Sequence, residues 1–185
     1  MQKKYLYALL TIVFSFLFYQ NKASSSLPQI VYQLPEPTLW GRDLEAGAEI
    51  VGPEHYYFAG TTNIDLNIVP IEDDLLNSLK TRGEKQIVLD MMHGKNTINA
   101  MFAAEDSILI SHNSKPIADG QLLELATTQK IGTEQFRILE KYFIFNNESV
   151  HLELRWPASA DPEKVKLAQK NFASITPQSR GSGSK

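Results

Sequence analysis

Between Val150 and Trp156 apolar and polar residues alternate without interruption. Val150, Leu152, Leu154 and Trp156 fall on one side of an extended chain, and His151, Glu153 and Arg155 on the other. The pattern predicts an antiparallel strand with one buried face and one wet outer face. A companion strand is predicted from Phe136 to Phe145, joined to it by the turn-forming run Asn146-Asn147-Glu148-Ser149. Pro157 ends the second strand, and Asp161-Pro162-Glu163 supplies a capping acid followed by proline at the first helical position. The helix that follows puts Val165, Ala168, Phe172 and Ile175 on one stripe, with Lys164, Lys166 and Lys170 largely outside it. That stripe is expected to lie on the sheet.

Upstream, the runs His55–Ala59 and Ile64–Val69 flank Gly60-Thr61-Thr62-Asn63, which predicts a hairpin whose second strand stops at Pro70. Glu72-Asp73-Asp74 places acids where a first helical turn exposes unpaired amides. Leu75, Leu76 and Leu79 form an apolar stripe, and Lys80 and Arg82 precede Gly83. A short helix is expected there. Further strands are expected at Gln86–Met91, Thr97–Ala104, Ser107–His112 and Gln121–Thr128, with turns at His93-Gly94-Lys95 and Ala118-Asp119-Gly120.

The N-terminal segment has a short basic head (Lys3, Lys4), an apolar run from Tyr5 to Tyr19 and a small-residue exit at Ala23-Ser24-Ser25-Ser26. This is the grammar of a cleaved secretory signal over residues 1–25, and its apolar run falls short of the roughly 20 residues that span a bilayer. Residues 26–39, with Pro28, Pro35 and Pro37, are expected to form an extended arm, and residues 177–185, ending in a Gly/Ser run, a disordered tail. Between them, residues 40–176 are long enough for a single self-sufficient domain. There is no cysteine, which excludes a lipid-anchored leader, disulfides, thiolate metal sites and cysteine nucleophiles. A periplasmic or secreted bacterial protein is expected. Removing the leader moves the formal charge from −3 to −6, and no basic cluster marks a nucleic-acid or anionic-membrane surface.

Candidate chemistry is sparse. His55, His93, His112 and His151 include no His-x-x-x-His pair. His151 and Glu153 share a strand face, but a metal needs a third ligand that the sequence does not name, so no metal and no cofactor are expected. There is no Gly-x-Ser-x-Gly elbow, Walker loop or Gly-x-Gly-x-x-Gly fingerprint, and no catalytic residue is assigned. The Asn147-Glu148-Ser149 sequon is accounted for by turn geometry. Trp40, Tyr56, Tyr57 and Phe58 form the densest aromatic group outside the leader, and marks either core or a binding patch.

The order of elements resembles the photosystem II subunit P (PsbP) and Mog superfamily. It has a hairpin after a Trp40-containing lead-in, a short helix, antiparallel strands, Ile117-Ala118-Asp119-Gly120 opening a strand, and a closing hairpin and helix ending at Phe172-Ala173-Ser174-Ile175. The resemblance covers roughly Trp40 to Ile175 and implies an α+β fold, an antiparallel sheet flanked by a few helices as an α/β/α sandwich. It also implies a binding or assembly role, since relatives dock on photosystem subunits or on a small GTPase. Residues 27–40 have no clear counterpart in that pattern, and no functional residue carries over.

The expected function is that of an exported, non-catalytic domain docking on a protein partner of the cell envelope, without nucleic acid and without a membrane span after cleavage. The contact candidates are His151, Glu153, Arg155, Trp40, Tyr56 and Tyr57. A periplasmic carrier of a small apolar ligand and a hydrolase without a recognisable motif are the alternatives.

Overall fold

The computed structural model describes residues 34, 36–42, 54–71, 75–102, 104–118, 120–145 and 149–176. The expected leader, most of the arm and the tail lie outside the described residues. Where the arm is described it is not extended throughout. Pro37–Leu39 form one turn of 3-10 helix, and Leu34 and Leu39 pack against the core.

Seven strands make one antiparallel sheet: β1 (Trp40–Arg42), β2 (Glu54–Phe58), β3 (Asp65–Ile71), β4 (Ile108–Ile117), β5 (Gly120–Ile131), β6 (Glu134–Phe145) and β7 (Ser149–Pro157). Their spatial order is β1-β2-β3-β7-β6-β5-β4. The last four strands form a simple meander, and β7 then joins it to β3 through a ladder running from Asp65–Arg155 to Ile71–Ser149. Pro70 does not stop β3. It lies opposite Val150 within that ladder, one residue before the strand ends.

Helices cover both faces. The closing helix α3 (Pro162–Ser174) is capped as expected, Asp161 Oδ1 accepting from the Glu163 amide at 2.9 Å. Its Ala168 and Phe172, with Ile175 just beyond, pack on the apolar side of β7 and β3, where Leu66, Ile68, Leu152 and Leu154 are fully or almost fully buried. Lys141 closes the far end of α3 by donating to the Phe172 and Ala173 carbonyls, each at 2.8 Å.

The opposite face carries α1 (Leu75–Arg82) and α2 (Glu84–Met101). Gly83 joins them at φ 78, its amide bonded to the Leu79 carbonyl, a left-handed joint that glycine adopts without strain. Helix α2 replaces the strands expected at Gln86–Met91 and Thr97–Ala104, and the turn expected at His93–Lys95 lies inside it. Ile87, Val88 and Met91 sit at helical spacing and pack with Leu123, Leu125, Tyr142 and Ile144 of the sheet. The second half of α2 is pinned by polar contacts: Asn96 Oδ1 accepts from the Ser107 amide at 2.8 Å, and Asn99 Nδ2 donates to Ser107 Oγ at 3.1 Å. The result is an α/β/α sandwich, and among the described residues no helix is long and apolar enough to cross a membrane.

Candidate functional site

The alternation of β7 puts His151, Glu153 and Arg155 on the sheet face covered by α2. Register then decides what they meet. On one side Tyr142 of β6 stands opposite His151 and Glu140 opposite Glu153; on the other, Asn67 and Asp65 of β3 stand opposite Glu153 and Arg155. Lys95 reaches down from α2. Its ammonium lies 2.5 Å from Glu140 Oε1 and 3.8 Å from Glu153 Oε2.

Glu140 is the centre of this cluster, with a side chain wholly shut off from solvent. Besides Lys95, its Oε2 accepts from Tyr142 Oη at 2.9 Å and lies 3.1 Å from His151 Nε2. The Tyr142 and His151 rings stack at 4.3 Å with 12° between their planes, which fixes the direction of the imidazole. Asp65 pairs with Arg155 at 3.2 Å.

Burial alone would raise the Glu140 carboxyl. The Lys95 ammonium and the His151 hydrogen bond overcome it and hold the group well below the usual carboxylate range. Burial likewise works against the charge on Lys95, but Glu140 and Glu153 outweigh it and push that ammonium up. At Asp65 desolvation wins over Arg155, and its carboxyl is raised. Burial and the nearby Glu140 charge raise Tyr142 far above an ordinary phenol. Several buried polar atoms on this face have no hydrogen-bond partner among the described residues: Asp65 Oδ1, Asn67 Nδ2, Thr127 Oγ1 and Arg155 Nε.

The structure brings together His151, Glu153 and Arg155 as expected, but their face is not wet. Helix α2 covers it, and the three side chains are only 17–18% exposed. The aromatic candidates divide. Trp40 is buried edge-on against Phe58 in the core beneath α3, and Tyr56 packs on that same side, whereas Tyr57 stands opposite Asp65 on the α2 side. The six candidates therefore do not form one surface. Glu140, Lys95 and Asn67 complete the cluster without any local motif. The one available sign is a lone acid in the largely apolar run Ile138–Phe145.

A second feature lies at the sheet edge. β4 is the last strand in the order, and a register break between Leu109 and Ser111 leaves Ile110 as the extra residue. Ile108 and Ile110 are 62% and 63% exposed.

No family model matches the chain, and no curated protein matches it by sequence. Solved structures do. A cyanobacterial PsbP (CyanoP) from Synechocystis sp. PCC 6803 aligns over 85% of this chain and 98% of its own, with a TM-score of 0.57 and 12% identity. A Pseudomonas aeruginosa protein of unknown function matches at TM-score 0.48 and 10% identity, covering 72% of this chain and 88% of its own. A Bacteroides thetaiotaomicron protein, about half of whose length is spanned (47%), matches at 0.47 and 12% identity over 84% of this chain. With its seven-stranded antiparallel sheet between helices, the chain has a PsbP-like α+β fold.

Proposed function

We propose that this chain is an exported, non-catalytic binding domain of the bacterial envelope, which docks on another envelope protein by taking up an extended segment of it along β4. The observation that carries the reading is the β4 edge, where Ile108 and Ile110 are exposed at the end of the sheet. A strand edge offers unpaired amides and carbonyls, and natural proteins usually blunt it with lysine, proline or a cover. Lys115 and Pro116 blunt one half of β4; the stretch 108–112 has no lysine or proline, and only the bulge at Ile110 interrupts it. An added strand there would gain main-chain hydrogen bonds and would shield both isoleucines. The bulge at Ile110 twists the edge, which favours a short visiting segment over long flat stacking.

Glu140 itself is not poised as a general base for work near neutrality: such a carboxyl is raised toward 7, and Glu140 is held in the opposite direction. Docking is also what the PsbP resemblance implies. The test is purification of the tagged mature domain from its native envelope after gentle solubilisation, beside an Ile110→Lys variant. A stoichiometric envelope protein should accompany the wild type and be lost from the variant, whose unfolding midpoint should not move. Recovery of the wild-type domain alone, at monomer mass, would count against docking.

A further inference from the structure

We propose that Glu140, His151 and Glu153 form a zinc site that Lys95 holds shut, its ammonium standing in for the metal until the metal displaces it. The inference is independent of docking at β4. Its first support is geometric. One oxygen of each glutamate and one nitrogen of His151 lie within 4.8 Å of one another. Ligands about 2.0–2.1 Å from a tetrahedral zinc stand roughly 3.3 Å apart. Glu140 Oε2 and His151 Nε2 already meet that spacing at 3.1 Å, so only Glu153 must draw inward, by a rotation of its own side chain.

The scaffold is rigid where a site requires it. Glu140 and Glu153 are direct partners in the β6–β7 ladder, and His151 is the next residue along the same face from Glu153. The stacked Tyr142 ring aims the imidazole at Glu140. Two carboxylates and one imidazole form a donor set suited to zinc and its spectroscopic substitute cobalt(II).

Charge supplies the second support. Three carboxylates, Asp65, Glu140 and Glu153, share this face with Lys95 and Arg155. A dication in place of the ammonium adds one positive charge to that acid-rich set with Arg155 in place. Lys95 has a route out, because its side chain is 19% exposed at the margin of the cluster and its four-carbon stem can carry the ammonium into water.

The third support is Asn67. It is nine-tenths buried, stands opposite Glu153 on the same face, and its Nδ2 has no partner among the described residues. Three protein ligands leave a fourth position on a tetrahedral metal, filled by water in open sites. Asn67 stands next to Glu153 with a buried donor that lacks an acceptor, and a metal-bound water on this face would offer it one.

The experiment is zinc titration of the full chain, stripped of metal and free of a histidine tag, followed by cobalt(II) absorption and thermal shift. The wild type should bind one zinc per chain. Lys95→Met should bind it at least about tenfold more tightly, since the competing cation is gone, while His151→Gln and Glu153→Gln should each lose it by about tenfold or more. If Lys95→Met is poorly folded without metal, zinc should raise its melting temperature in proportion to occupancy, and the same titration then reads binding. Zinc affinity unchanged in His151→Gln and Glu153→Gln would place the metal elsewhere and overturn the site. Equal affinity in wild type and Lys95→Met would overturn displacement, and binding in neither would overturn the proposal as a whole.

Discussion

Lys95→Met, measured in chelator, tests the charged cluster as a structural element. Glu140 has no solvent contact, and Lys95 is its closest charged partner at 2.5 Å. Removing one member of a buried ion pair typically costs about 3–5 kcal/mol, because the remaining charge is left uncompensated. Here Tyr142 Oη and His151 remain on Oε2, which places the expected loss near the lower end, about 3 kcal/mol. That is more than a hundredfold in the folding equilibrium. Urea unfolding followed by tryptophan fluorescence suits the measurement, since Trp40 and Trp156 are both buried in the core. The double variant Lys95→Met/Glu140→Gln removes the stranded charge and keeps an amide that can bond Tyr142 and His151. It should recover most of the loss, to within about 1 kcal/mol of wild type. A Lys95→Met loss below about 1 kcal/mol, or a double variant no more stable than Lys95→Met, would refute the view that the ammonium compensates Glu140.

Burial pushes Lys141 down to about 8 from an ordinary 10.5, so the fold favours its neutral form. Stability should therefore rise between pH 8 and 10.5, and Lys141→Met should abolish that rise in pH-dependent urea midpoints. Glu140 works at the other end of the scale. Its folded carboxyl is depressed, so its contribution is present above about 4.5 and is lost as pH falls below that value, a loss Glu140→Gln should not show. Gly120→Ala should destabilise by about 2 kcal/mol or more, because a Cβ there would lie 2.1 Å from the Ile144 carbonyl oxygen; thermal melts would show it as a lowered midpoint. Asp161→Ala should cost about 1 kcal/mol through loss of the α3 cap, and Asp161→Asn should restore most of it in the same melts.

The parts of the fold legible in the sequence are those whose stability comes from local pattern. β7 has strict alternation, and α3 has an acid-proline start and an apolar stripe. Both stand where the sequence puts them. Helix α2 is illegible for a physical reason: it buries only Ile87 and Val88 fully, and Lys95, Asn96 and Asn99 hold its second half by polar contacts that hydrophobic periodicity does not record. Gly94 and Thr97 then resemble punctuation between strands. The error spreads to the site. With α2 read as two strands, nothing is left to cover the polar face of β7, and that face reads as wet. Glu140 stays hidden because its place opposite Glu153 depends on the register across residues 146–148, which composition alone does not set.

The strand order also has a consequence for when the molecule can fold. The β4–β7 meander pairs neighbours in sequence and can assemble through short loop closures. β3 has no such neighbour beyond β2: the Asp65–Arg155 bridge that ties it to the meander spans 90 residues. Until β7 and α3 exist, Leu66 and Ile68 of the β1–β3 fragment lack the residues they pack against, Leu152, Leu154, Ala168 and Phe172, and a small sheet without a covered apolar face has no independent stability. The first half of the chain thus waits for its last strand. A chain synthesised from its N-terminus stays open for most of its synthesis and closes its sheet only as the C-terminal end arrives.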